Sequence, residues 1–305
     1  MNIVVSGGTG FIGNALLKRL MESGHRVTLL TRNPDAVKHP PGGRVDVERW
    51  DGKTAGSWAQ CVDGVDAVMN MAGEPIAAKR WTDTQKTRIL NSRLDATRAI
   101  VAAIEKAKQR PSVLVNASAV GYYGHVESGD VTESHPKGVD FLADTCARWE
   151  EEVTKAEPLG VRVVRLRTGI VLEKDGGALK KMLPPFRLFV GGSLGSGHQW
   201  FPWVHRDDVV GTILFVLEHA DLSGPVNVAA PEPVTMKQFC KVLGAVMGRP
   251  SWAPVPAFVL RAMLGEMSDM LLTGQRVVPQ KLQEAGYSFR YPRLDEALAA
   301  IVGKR

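Results

Sequence analysis

Ser6-Gly7-Gly8-Thr9-Gly10-Phe11-Ile12-Gly13 joins the apolar run Ile3-Val4-Val5 to a helix-period stretch, Phe11 to Ser23. Gly7, Gly10 and Gly13 make a Gly-x-x-Gly-x-x-Gly spacing. Between a strand and a helix, such glycines permit a tight turn and let backbone N–H groups approach a diphosphate. The unpaired amides and the dipole of the helix N-terminus both favour an anion there. The stretch predicts a dinucleotide site with contacts at Gly7, Thr9, Gly10, Phe11, Ile12 and Gly13.

Beyond it the pattern alternates. Strand-like runs fall at Val27 to Leu30, Val45 to Arg49, Val65 to Met71, Val113 to Ala117, Val161 to Leu166 and Pro225 to Val228. Helix-like stretches fall at Thr82 to Gln109, with an N-cap at Thr82 or Asp83, at Val139 to Glu157 and at Asp207 to Glu218. Short apolar strands separated by helices predict an α/β fold, a doubly wound parallel (Rossmann) sheet covered on both faces. After Gly169 the pattern loosens, with Gly176-Gly177, Pro184-Pro185 and Gly191-Gly192 as punctuation. Helices are expected at Thr235 to Met247, Ala257 to Leu272 and Leu294 to Val302. The division expected is 1–168 with 205–230 as the nucleotide-binding domain, and 169–204 with 231–305 as a second, smaller C-terminal lobe.

At the end of the second strand an NAD-selecting fold usually presents an acid to the ribose hydroxyls. This chain has Thr31-Arg32-Asn33. A carboxylate would repel a 2′-phosphate, whereas Arg32 makes charge-assisted bonds to one, so Thr31 and Arg32 point to NADP(H).

Composition sets the outer limits. The 305 residues, 44% hydrophobic and 23% charged, are globular in character, and the N-terminal residues lack the pattern of a signal peptide. Three widely spaced cysteines fit packed thiols in a reducing cytoplasm, with no metal-ligand spacing. The excess of 38 Lys+Arg over 32 Asp+Glu is modest and contains no basic run, so neither nucleic acid nor a membrane is an expected partner.

These residues carry a resemblance. The Gly-rich start, Asn70-Met71-Ala72-Gly73, Asn91-Ser92-Arg93, Ser118 to Gly124, Arg167-Thr168-Gly169 and Trp203 to Asp208 resemble the extended short-chain dehydrogenase/reductases, the NAD(P)-dependent epimerase/dehydratase group. Gly73-Glu74-Pro75-Ile76, Gly121-Tyr122-Tyr123-Gly124, Trp149-Glu150 and residues 252–300 are similar to an atypical subgroup labelled epimerase family protein, some members of which carry a cell-division-inhibitor label. The resemblance implies cofactor contacts at Met71, Ala72, Gly73, Glu74 and Thr168, and a cofactor- or substrate-facing Arg93 where asparagine is more common.

The same resemblance exposes a departure. Superfamily members pair a Ser or Thr with a Tyr-x-x-x-Lys acid/base unit. Ser118 matches the serine, but registering the next helix on Trp149-Glu150-Glu151 puts Leu142 and Cys146 where tyrosine and lysine belong. Tyr122 and Tyr123 are the replacement acids near Ser118, while His205 with Trp200 and Trp203 reads either as a ring clamp or as structure. Two functions compete: an oxidoreductase or epimerase on an unidentified carbonyl or nucleotide-sugar substrate, and a non-catalytic NADP(H)-sensing regulator related to cell division. The sequence leaves the small-molecule substrate and the oligomeric state open.

Overall fold

The computed structural model describes residues 1–37 and 45–303. Its strands are β1 (Asn2–Ser6), β2 (Arg26–Thr31), β3 (Val45–Arg49), β4 (Ala67–Asn70), β5 (Val113–Ala119), β6 (Asp130–Val131), β7 (Arg162–Thr168), β8 (Ile170–Glu173), β9 (Trp200–Phe201), β10 (Trp203–His205), β11 (Gly224–Val228), β12 (Val234–Thr235) and β13 (Arg276–Val277). The helices are α1 (Gly13–Glu22), α2 (Asp83–Lys106), α3 (Phe141–Thr154), α4 (Gly177–Arg187), α5 (Arg206–Glu218), α6 (Met236–Met247), α7 (Ala257–Leu264), α8 (Asp269–Leu272), α9 (Gln280–Glu284) and α10 (Leu294–Val302).

Seven strands form one sheet in the order β11-β7-β5-β4-β1-β2-β3, every pair parallel. Successive residues of a strand face opposite sides. Ile3 and Val5 join Leu16 and Leu20 of α1 and Ile213 of α5 in one core. Val4 turns to the other side, against Ala96, Ala99 and Ile100 of α2. Two buried faces explain why the strands read as nearly continuous apolar runs. The chain lays strands outward from β1 in one direction and from β4 in the other, so the carboxyl ends of β1 and β4 flank the crevice where such sheets bind ligands.

The expected strands and the long helices are present, and α2 is capped by Thr82, whose Oγ1 accepts from Gln85 N at 3.2 Å. The loosened region departs from expectation in two places. Pro184 and Pro185 lie inside α4 rather than ending it. Both are exposed, as are Lys180 and Lys181, the residues whose carbonyls the prolines leave without helical donors. The single helix expected over Ala257 to Leu272 is broken at Gly265 (φ +60), where the approach of Arg80 leaves little room for a side chain. A separate core of Leu172, Leu179, Phe186, Trp203, Phe239, Leu243 and Leu298 holds the C-terminal lobe together. Near the C-terminus β13 pairs with β6 in a separate two-stranded sheet, and Gln275 Nε2 donates to Val120 O, in the turn after β5, at 2.7 Å. Among the described residues no helix is long and apolar enough to cross a membrane.

Candidate active site

The Gly-rich turn is built for close backbone approach. Gly7 has φ +71, and a Cβ there would sit 2.5 Å from the backbone of Met71. Gly13 is closed by the backbone of Gly7 and Gly8. Gly10 differs: it is exposed, and a Cβ would touch only Gly7 O, at 3.1 Å. Among the described residues no side chain caps α1; Asn14 N already donates to Gly10 O at 2.9 Å and Leu16 N to Ile12 O at 3.0 Å, while the amides of Phe11, Ile12 and Gly13 have no acceptor among the described residues and can meet an anion. An open glycine in front of an uncapped ten-residue helix fits a dinucleotide diphosphate.

Not every residue of the turn faces the same way. The ring of Phe11 lies against Gly176 and Gly177, under the guanidinium of Arg206 at 5.2 Å, so its contribution to a ligand is through the backbone. Thr9 is exposed, and its carbonyl accepts from Asn14 Nδ2 at 3.2 Å; Ile12 is the half-buried N-cap residue of α1. At the end of β2, Thr31 is buried and accepts from Asn33 N at 3.3 Å. Arg32 is exposed, and the neighbouring Arg49 is paired with Asp35 at 3.5 Å.

The loop after β4 is fixed by a buried polar network that the sequence reading missed. Asn70 accepts from Ser6 Oγ at 2.7 Å and donates to Thr97 Oγ1 at 2.9 Å and Asn116 Oδ1 at 2.7 Å. Thr97 also accepts from Trp149 Nε1 at 2.9 Å. Met71 N donates to Ser6 O at 3.2 Å and Ala72 N reaches Asn70 Oδ1 at 3.4 Å. Two neighbours on α2 then clamp the backbone of Glu74: its N–H donates to Ser92 Oγ at 2.9 Å, and its carbonyl accepts from Arg93 Nη1 at 3.0 Å. Arg93 Nη1 also donates to Ile89 O at 2.9 Å, and its guanidinium lies 5.1 Å from the Trp149 ring. Desolvation holds its pKa below the ordinary arginine value. Gly73 abuts it, a Cβ there falling 3.2 Å from Arg93 Cζ.

On the β5 side the structure redistributes the expected catalytic residues. Ser118 is buried and its hydroxyl donates to Glu150 Oε1 at 2.7 Å. Arg167 grips the same carboxylate with Nε at 2.9 Å and Nη2 at 2.8 Å. Arg167 Nη1 donates to Tyr123 OH at 3.0 Å, and that hydroxyl donates to Asn227 Oδ1 at 2.6 Å. Burial pushes the Tyr123 phenol up to about 12. Ser118 and Tyr123, expected at the chemistry, are thus interior members of a charged network joining β5, α3, β7 and β11. The signal was present in the sequence: Arg167 directly follows the apolar Leu166 in a strand of the central sheet, and a charge between covered faces requires a partner. Thr168 ends the same strand, half-buried, with Oγ1 donating to Leu166 O at 3.3 Å.

Tyr122 is half-buried, its ring 3.5 Å from the Arg167 guanidinium and edge-on to Tyr123. Among the described residues no partner is recorded for its hydroxyl. Leu142 and Cys146 of α3 pack together against Gly121, where a Cβ would meet Leu142 Cβ at 3.3 Å and Cys146 Sγ at 4.0 Å. The tyrosine and lysine places are therefore filled by apolar contact. The thiol is pushed up to about 12 by burial, with Arg93 as the leading opposing influence. The ring clamp is not assembled. Trp203 is in the lobe core, and His205, kept neutral by burial, caps α5 by accepting from Asp207 N at 3.0 Å. Among the described residues no cluster of three His, Cys, Asp or Glu is placed to hold a metal ion.

Residues 3–143 match the NAD dependent epimerase/dehydratase family, and residues 255–301 match a domain of unknown function, DUF1731. The chain is 43% identical to the chloroplastic epimerase family protein SDR39U1 homolog of Arabidopsis thaliana, over 99% of this chain and 87% of that one. It is 40% identical to epimerase family protein YfhF of Bacillus subtilis, over 100% of this chain and 99% of that one. The crystal structure of human epimerase family protein SDR39U1 (isoform 2) with NADPH superposes with a TM-score of 0.89 at 36% identity, covering 100% of both chains. With a glycine-rich turn, a doubly wound sheet and relatives matched over almost their whole length, the chain belongs to the NAD dependent epimerase/dehydratase family and carries the C-terminal domain of unknown function beside it.

Proposed function

We propose that the chain is an NADP(H)-dependent oxidoreductase acting on a small-molecule carbonyl or nucleotide-sugar substrate. One observation carries the reading: open Gly10 in front of uncapped α1, with Arg32 rather than an acid at the end of β2. The human relative, whose crystal structure contains NADPH, supports the choice of dinucleotide. Open Gly10 lets the diphosphate approach the amides of Phe11, Ile12 and Gly13, Arg32 takes the 2′-phosphate, and the loop Met71–Glu74 borders the nicotinamide half. When bound, the dinucleotide supplies or accepts a hydride. Tyr122, whose hydroxyl is uncommitted and whose ring lies 3.5 Å from the Arg167 guanidinium, is the residue left to give a proton to a carbonyl oxygen. The three unpaired cysteines suit a reducing compartment such as the cytoplasm. The test is NADPH consumption in the presence of pooled carbonyl metabolites. Turnover that falls about 10²-fold in Tyr122→Phe, at unchanged NADPH affinity, is the expected result.

A second reading has its own observation. Ser118 and Tyr123 are committed to a buried network, and Leu142 and Cys146 fill the places of the acid/base pair. These features favour a regulator that binds NADP(H) without consuming it. Tight NADPH binding with no consumption by any pool would establish that reading and end the first.

A further inference from the structure

Arg93 is a cation with no counter-ion. Its Nη1 is held by two backbone carbonyls, Glu74 O and Ile89 O, and its guanidinium rests over Trp149. It forms no ion pair with a carboxylate among the described residues; Glu74 offers it a carbonyl, and the Glu74 carboxylate acts on it only from longer range. The donors on Nε and Nη2 have no protein acceptor among the described residues. Arg93 is half-buried, so its charge is only partly hydrated, and the neutral carbonyls answer it in part.

Its position says what should answer it. Gly7, in the diphosphate turn, abuts Met71 and Ala72; two residues on, Gly73 abuts Arg93. Across Arg93 lie Trp149 and Cys146 of α3, the helix that packs beside β5. Neighbouring strands are about 4.8 Å apart, so Arg93 lies past the diphosphate turn toward β5, where Cys146 sits 4.0 Å from the Cβ position of Gly121. A nicotinamide ribose offers only neutral hydroxyls, and an oxidised nicotinamide is itself a cation. Neither neutralises a guanidinium. A planar fork with free donors matches a carboxylate or phosphate. The fork is also pre-set: Asn70 holds Thr97, Thr97 holds Trp149, and Trp149 carries the guanidinium.

We propose that Arg93 anchors an oxyanion of the substrate, a carboxylate or a phosphate, so that the substrate class is an anionic carbonyl or hydroxyl compound. The assignment rests on the dinucleotide-dependent reading above and adds to it the charge of the reacting molecule. Arg93 recognises and orients; the proton is left to Tyr122.

The test is calorimetric titration of the full chain, with and without saturating NADP⁺, using 2-oxobutanoate as the carboxylate probe, dihydroxyacetone phosphate as the phosphate probe and dihydroxyacetone as the neutral control. With NADP⁺ and an already oxidised probe no turnover intervenes. One charged probe should bind at least about tenfold more tightly than the neutral control, and which one does so identifies the oxyanion. Arg93→Met should erase that preference, Arg93→Lys should keep part of it, and NADPH affinity, followed by nicotinamide fluorescence, should stay within about threefold in both. Circular dichroism of each variant excludes misfolding as the cause, and Arg93→Lys carries the test if Arg93→Met fails to fold. The proposal is overturned if neither charged probe outbinds the control, if the preference survives Arg93→Met, or if either variant loses NADPH affinity about tenfold, which would make Arg93 a cofactor ligand. Failure of the unmodified chain to bind NADPH would instead overturn the dinucleotide reading, and the titrations without dinucleotide would still report on Arg93.

Discussion

Ser118 Oγ donates to Glu150 Oε1 at 2.7 Å, inside the fold rather than toward the cleft. The Glu150 carboxylate is also gripped bidentately by Arg167, so a residue that usually polarises substrate is here one bond of a buried charged cluster. Catalytic position and catalytic role have separated.

Stability should therefore depend on this cluster more than ligand binding does. Glu150→Gln leaves Arg167 buried beside a neutral amide and is expected to cost about 3–5 kcal/mol. Ser118→Ala removes one hydrogen bond to a charged acceptor, at about 1.5–3 kcal/mol. Urea denaturation followed by tryptophan fluorescence measures both. A Glu150→Gln protein as stable as its parent would mean that the cluster is not a structural element.

The two outer roles in the glycine turn separate in the same way. Gly7→Ala puts a side chain at φ +71 and 2.5 Å from the Met71 backbone, so it should lower the melting temperature and abolish NADPH binding together. Gly10→Val meets only Gly7 O. It should fold with a nearly unchanged melting temperature and bind neither NADPH nor NADH. Retained binding in Gly10→Val would remove this turn from the diphosphate site.

Much of this was legible in the residues. The strands of the main sheet announce themselves because both faces are covered, so Ile3, Val4 and Val5 are all apolar with no alternation to obscure them. The glycine turn is legible because at Gly7 and Gly13 backbone approach leaves no room for a side chain. What was not legible depends on long-range partners. Nothing near Ser118 in sequence says that Glu150 and Arg167 will meet it, and nothing near Tyr123 announces Asn227. The prolines of α4 misled because their effect depends on whether water reaches the carbonyls they leave bare, which only the folded surface decides.

Cofactor choice turns on Arg32. Arg32→Asp replaces a donor to the 2′-phosphate with a repelling carboxylate that can still accept from a ribose hydroxyl. NADPH affinity should fall at least about tenfold while NADH affinity holds or improves. Fluorescence titration with both dinucleotides measures the ratio, and an unchanged ratio would place the 2′-phosphate elsewhere.

Alkaline pH should destabilise the fold before it affects most surface groups. Burial raises the Cys146 and Cys240 thiols from 9.0 to about 12 and the Tyr123 phenol from 10.0 to about 12. These groups stay protonated in the fold while the unfolded chain releases their protons. The unfolded state binds fewer protons between about pH 9 and 12, so stability falls as pH rises through that window, by up to about 1.4 kcal/mol per pH unit for each group. Below about pH 8 these groups contribute little slope. Urea midpoints at stepwise pH should show the decline, and Cys240→Ala should flatten it. A profile identical in that variant would contradict the assignment for Cys240.

Restoring the missing acid/base pair is the most demanding test, because the structure shows why Leu142→Tyr with Cys146→Lys should not succeed by itself. Cys146 is buried within electrostatic reach of Arg93, in surroundings that already push its thiol up to about 12. A lysine there would set an ammonium against a guanidinium in a dry site, and both burial and the like charge would strip its proton. A neutral amine can neither tune a tyrosine nor hold a ribose as a cation. Arg93→Asn removes the conflict and installs the residue more common at that place in the superfamily. Cys146→Lys should therefore be destabilised alone and recover in the Arg93→Asn background, with a coupling of about 0.5–3 kcal/mol in a double-mutant cycle. Carbonyl reduction with NADPH should appear only when Leu142→Tyr, Cys146→Lys and Arg93→Asn are combined, and it should then favour neutral carbonyls, since the oxyanion anchor is gone. Strict additivity of the Cys146 and Arg93 substitutions, or activity in the Leu142→Tyr/Cys146→Lys protein with Arg93 intact, would show that the guanidinium does not occupy the charge position of the absent lysine.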